Sequence, residues 1–196
     1  MRRLISAIVR RRNSAFVWPD TLPESAVVAF AWQQAVKILR GMSLWLRGRN
    51  PHMMLKGKGS SLHGLRQLHW GRFLKLGEQV YMNATSITGI TLGHNVSIGA
   101  YSRLIASGSI ANPGVGIRIG NNVGIGEFAY LGGGGGLEIG DDCIVGQYLS
   151  CHPENHETAN PNLPYRLQGV TREGIIIGKN CWIGSKVTIL DGVTIG

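Results

Sequence analysis

The chain has 196 residues, with 43% hydrophobic and 16% charged content, which is too apolar for wholesale disorder and long enough for a sizeable core. Its 29 glycines, beside only 7 prolines and no collagen-like triplet, are the one outlier in composition. The formal charge of +9 is uneven: residues 1 to 75 hold 14 of the 20 Lys and Arg but 2 of the 11 Asp and Glu, whereas residues 76 to 196 hold 6 and 9.

At the N-terminus an apolar stretch is broken by Arg10 to Arg12, and nowhere does an apolar run approach the roughly 20 residues that span a bilayer. A spanning helix and a secretory signal are therefore not expected. Three cysteines without CxxC spacing point to a reducing, cytoplasmic setting and away from a disulfide scaffold or zinc knuckle. Asp20-Thr21 followed by Glu24 has the form of a capping box, so a helix is predicted from there. Val28, Trp32, Ala35, Leu39, Met42 and Leu46 form one apolar stripe, with Gln33, Lys37, Arg40 and Arg47 on another face. Such a helix either closes the open end of the second half of the chain or lies on an anionic membrane. In the second case Trp32 and Trp45 would sit at the interface, with Arg2, Arg3 and Arg10 to Arg12 adding attraction, and the protein would work at the inner face of the cell membrane. Basic charge alone is nonspecific, and without a recognition motif no nucleic-acid partner is expected. Charge falls and glycine rises, from 6 before residue 76 to 23 after it, so the sequence divides into a basic region 1–75 and a second domain 76–196.

That second part repeats every six residues. Aliphatic or similar residues recur as Leu76, Met82; Leu92, Ile98, Leu104; Ile119, Ile125, Leu131; Ile139, Val145, Cys151; and Ile177, Ile183, Ile189, Ile195. A second series of small or β-branched residues includes Val80, Val96, Val123, Cys143, Cys181, Val187 and Val193. A period of six fits neither a helix nor one long alternating strand, but suits short strands joined by tight corners, where glycine permits close backbone approach. Three hexads make one triangular turn, so fifteen predict five coils with the aliphatics stacked inside. A β-sandwich would instead show period-two runs and frequent hairpin turns. All three cysteines fall on inward positions and read as buried filler.

The register breaks in four places. Met82 to Leu92 has an excess of four residues, Leu104 to Ile119 of nine, and the Gly132 to Gly136 run before Ile139 of two; Cys151 and Ile177 lie 26 positions apart where six would do. The last excursion, 152–176, reads "HPENHETANPNLPYRLQGVTREGI" and carries His152 and His156. Interruptions of a solenoid are loops on one face, and such loops commonly carry function.

The segment "IGKNCWIGSKVTILDGVTIG", Ile177 to Gly196, resembles the hexapeptide-repeat acyltransferases, and the likeness extends over residues 76 to 196. The resemblance implies a mainly β fold, a left-handed parallel β-helix; the hand comes from the resemblance alone, because general rules favour right-handed crossovers. It implies acetyl transfer from acetyl-CoA to a hydroxyl of a saccharide, in surface-polysaccharide synthesis, by a homotrimer. In the polysaccharide type the loop's leading histidine is the general base, with Pro five residues on and again after three, as in His156, Pro161 and Pro164. In the maltose or galactoside type the base directly precedes Pro, as His152 precedes Pro153. His156 is preferred, because the residues after it run without a gap into the better-matched segment; His152 then lines the acceptor site or caps the loop. A largely neutral imidazole would take the hydroxyl proton, and a backbone N–H or an amide such as that of Asn155 would meet the oxyanion. CoA would lie between neighbouring subunits near Trp182 and Ser185, with Lys186 on a phosphate, and no metal is needed. Family members usually run on through further coils to a segment near "GNPA" that helps hold CoA.

Serine or another small molecule could replace the saccharide as acceptor. Two other classes share such a fold: a zinc hydratase, which needs three histidines on neighbouring coils, and a non-catalytic trimeric or membrane-docking scaffold. His94 and His152, 58 residues apart, do not fit a simple multiple of the eighteen-residue coil.

Overall fold

A computed structural model describes residues 2–10, 15–19 and 21–196. From Leu55 onward the chain winds as a three-sided solenoid, its faces being three parallel sheets of six short strands each. The first sheet starts with Leu55–Lys56 and ends with Trp182–Ile183, the second runs from Ser61–His63 to Thr188–Leu190, and the third from Leu68–Trp70 to Thr194–Ile195. This architecture is consistent with a left-handed parallel β-helix.

The six-residue repeat becomes the core. Each hexad aliphatic from Leu76 to Ile189 is at least nine-tenths buried, and Ile195 is partly so. Identical inward positions stack directly between coils: Leu76 pairs with Ile98, Leu104 with Leu131, Cys151 with Ile189. Of the second series, Val80, Val96, Val123 and Cys143 are buried, Cys181 and Val187 are partly buried, and Val193 is exposed. Pairing offsets reproduce the register breaks. Lys75 faces Ser97, 22 positions on; Ser97 faces Gly124, 27 on; Gly124 faces Ile144, 20 on; and Ile144 faces Trp182, 38 on. Each offset is one eighteen-residue coil lengthened by its excursion, so the breaks bulge outward and leave the ladders intact.

Corners divide their labour between two positions. The left-handed backbone falls on the residue two after the opening glycine: Gln79, Tyr101, Phe128 and Tyr148 along one edge, Asn95, Asn122, Asp142 and Asn180 along another, with φ between 54° and 62°. The glycine itself serves close approach. A Cβ on Gly77 would stand 2.7 Å from the Ala100 Cα, and one on Gly140 would stand 2.7 Å from the Gly178 carbonyl carbon. The left-handed residues form ladders of their own: the rings of Tyr101, Phe128 and Tyr148 stack at 5.2 and 5.0 Å, and Asn95 donates to Asn122, which donates to Asp142.

The solenoid begins one coil before the boundary expected at residue 76, and it has six coils rather than five. Lys56 and Trp70 hold ladder positions opposite Leu76 and Leu92, so the first coil breaks the aliphatic pattern at two of its three sides. Burial, with the nearby charges of Arg47 and Arg40, pulls the Lys56 amine below its ordinary pKa.

Two helices precede this coil, α1 (Arg2–Arg10) and α2 (Glu24–Met42). The capping box does not form: Pro23 is the N-cap of α2 and no side chain caps it, while Asp20 lies outside the described residues. Trp18 ties α1 to α2, donating to Ser6 Oγ at 2.8 Å and meeting Phe30 edge-on at 6.0 Å. α2 closes the solenoid's first end. It seats Gly41 against the Met54 carbonyl, where a Cβ would clash, and buries Val27; Leu44 is buried in the short 3-10 turn after the helix. Beyond it, Arg47 donates to Leu62 O and Arg49 to Leu68 O, which satisfies carbonyls of the first coil. The buried face is thus not the predicted stripe. Val28, Trp32, Leu39 and Leu46 are exposed. Arg11 and Arg12 lie outside the described residues, and among those described no helix is long and apolar enough to cross a membrane.

Candidate active site

All four register breaks fall at the corner between the second and third sheets. Strand Ser150–His152 runs outward into the 152–176 excursion, which returns to the third sheet at strand Ile175–Ile177. Its stem is a two-stranded antiparallel ribbon, Asn155–His156 against Val170–Thr171. Its tip closes on itself, with the Asn160 N–H donating to Gln168 Oε1 and Gln168 Nε2 to Leu163 O. At the root, Asp191 accepts from the Glu173 and Gly174 N–H groups at 2.9 and 2.8 Å.

The 105–116 excursion lies alongside, and Arg172 joins the two. Its guanidinium donates to Asn112 Oδ1 at 3.0 Å and Pro113 O at 3.1 Å, and pairs with Glu154 at 3.1 Å. The glycine run fits between them. A Cβ on Gly133 would stand 2.9 Å from Ala106 and Gly116 backbone, and one on Gly135 would strike Pro153 O. Side chains on this run would therefore hold the two excursions apart.

What remains between these parts is a cavity of about 220 Å³. His152, His156 and Glu154 line it, with Tyr130, Ile105 and the backbone of Gly132 to Gly134. His152 is held firmly: its Nε2 shares a 2.7 Å hydrogen bond with Ser150 Oγ, and its ring stacks on Tyr130 at 5.2 Å. His156 projects from the ribbon stem and is exposed. Both expected histidines thus reach one cavity from two elements. Asn155, beside His156 on the ribbon, is not among the lining residues. Cys151 also borders the cavity, but burial pushes its thiol up to about 12, so no thiolate nucleophile is available there.

The residues expected to meet CoA stand elsewhere on this chain. Trp182 projects from the first sheet, 84% exposed; Ser185 donates to Gln147 Oε1 at 2.8 Å; Lys186 occupies a left-handed corner with φ 59°. None of them lines the histidine cavity. His94 is occupied at another corner, its Nδ1 accepting from the Arg72 N–H at 2.9 Å. Among the described residues no group of three or more His, Cys, Asp or Glu could hold a metal ion.

Arg172, Tyr130 and the glycine floor escape sequence reasoning. Arg172 and Asn112 are 60 residues apart and carry no local pattern, whereas the glycine run announces itself only as a small register break.

A six-coil parallel solenoid with a histidine cavity between two excursions can be set beside known proteins. The chain is similar to the probable acetyltransferase Rv3034c of Mycobacterium tuberculosis. The two are 27% identical over 155 residues, which cover 75% of this chain and 42% of that protein. This chain therefore spans well under half of its relative's length. No protein-family model matches the chain, and no solved structure matches it.

Proposed function

We propose that the protein transfers an acetyl group from acetyl-CoA to a hydroxyl of a saccharide, in surface-polysaccharide synthesis. The observation that carries this reading is the joint presence of His152 and His156 in one cavity walled by the two long excursions, on a coil similar to a probable acetyltransferase. His156 is the general base. Its imidazole removes the acceptor's hydroxyl proton as the oxygen attacks the thioester carbonyl. The C–O bond forms, the C–S bond breaks, and the proton leaves with the CoA thiol. His152, fixed by Ser150 and Tyr130, positions the acceptor. A backbone N–H of the cavity wall meets the oxyanion, since Asn155 does not line the cavity.

Because Trp182, Ser185 and Lys186 lie on faces away from the histidines, the reading includes a homotrimer in which one copy supplies the base and its neighbour the CoA-binding wall. A small acceptor such as serine suits the 220 Å³ volume equally and is the second reading. Release of free CoA, measured with a panel of saccharides and with serine, separates the two. His156→Ala should lower kcat/KM by about 10²-fold or more. A larger loss in His152→Ala would move the base to that residue, and no CoA release with any acceptor would leave the scaffold reading in its place.

A further inference from the structure

α2 has two apolar faces, and the solenoid uses one of them. Gly41 sits against the Met54 carbonyl and Val27 is buried, while Val28, Trp32, Ala35, Leu39 and Met42 recur three or four apart on an exposed side that Leu46 extends into the short turn after the helix. Trp32 is 71% exposed and Leu46 92%. From Val28 to Met42 the open stripe runs about 21 Å at the helical rise, and none of the described residues covers it. Isolated exposed apolar residues need no explanation, but a continuous stripe of this length does.

The surroundings of the stripe are basic. Arg40 falls about a third of a turn round the helix from it, and Lys56 lies close enough to Arg47 and Arg40 for their charges to act on its amine. Beside Trp32 a groove of about 330 Å³ is lined by Lys37 and Arg40 against a single carboxylate, Glu78. A second copy is a poor occupant, because a two-fold contact through this patch would bring the same cations face to face. A polyanion without apolar surface would leave the stripe wet.

From the open stripe and its cationic border, we infer that α2 docks this end of the protein onto an anionic lipid surface, with Trp32, Leu39 and Leu46 entering the headgroup boundary and Lys37 and Arg40 meeting lipid phosphates. Trp45, 58% exposed near the far end, adds a second interfacial aromatic. The helix thus closes the coil with one side and faces lipid with the adjacent side. This inference is independent of the acetyl-transfer reading, since none of its residues borders the histidine cavity.

The test is co-sedimentation of the full chain with vesicles of equal parts phosphatidylcholine and phosphatidylglycerol, against pure phosphatidylcholine. Binding to the anionic vesicles, weakened by added salt, is expected. The double variant Leu39→Ser, Leu46→Ser should reduce it by about tenfold or more, with an unchanged far-ultraviolet circular dichroism spectrum because neither side chain is buried. Wild-type protein that binds both vesicle types no better than a lipid-free control overturns the inference. So does lipid-free self-association that the double variant abolishes, which would make a second copy the occupant.

Discussion

Cys151 stands in an inward ladder between Leu131 and Ile189, with its whole surface withdrawn from water. Burial holds its thiol at about 12, against an ordinary value of 9.0. Below pH 9 the thiol is protonated in folded and unfolded chains alike, and stability does not depend on it. Above pH 9 the unfolded chain gives up the proton and the folded one keeps it, so stability falls as pH climbs toward 12, by on the order of a few kcal/mol. Cys151→Val, which keeps an apolar group of similar size in the ladder, should make the thermal midpoint less steep in pH between 9 and 11. Equal slopes for variant and wild type would show that the thiol is not shielded. Lys56 is the converse case. An amine in a ladder position is held below its ordinary pKa by burial and by neighbouring cations, and that residue hid the first coil from sequence reading.

At the scale of elements, the coil from Leu76 onward was legible because every hexad aliphatic does one job, filling the prism, and every excursion adds to the offset without disturbing it. α2 was legible as a helix but not in orientation. Both of its flanks are apolar, and a period of 3.6 cannot tell which one meets protein; the less hydrophobic side, with Gly41 for close approach, is the one that packs. Within the candidate site the histidines could be read from the loop, while Arg172 could not, since its partners come from a different excursion. Arg172→Ala should release both excursions at once. Amide exchange in segments 105–116 and 154–173 is expected to quicken together, with kcat/KM down by about tenfold and the melting of the coils nearly unchanged. Faster exchange confined to one segment would count against the link.

For the whole molecule, the separation between the histidine cavity and the Trp182 face makes assembly part of the proposed chemistry. Sedimentation equilibrium should give three times the chain mass of 21.2 kDa. His156→Ala and Trp182→Ala, each impaired alone, should regain about a quarter of wild-type turnover when unfolded together and reassembled, because a random mixture contains sites built from one intact half of each. Additive residual activity would mean that each copy works alone. Arg172 also bears on how such a molecule can change. Corner loops on a solenoid are in general interchangeable, because the ladders beneath take no notice of them. Here the guanidinium leaves the second excursion and finishes on Asn112 and Pro113 of the first. A chimera with a foreign 105–116 loop would leave Arg172 with Glu154 alone, and one with a foreign 152–176 loop would take the donor away from Asn112 and Pro113, so a new acceptor preference has to be inherited as a matched pair.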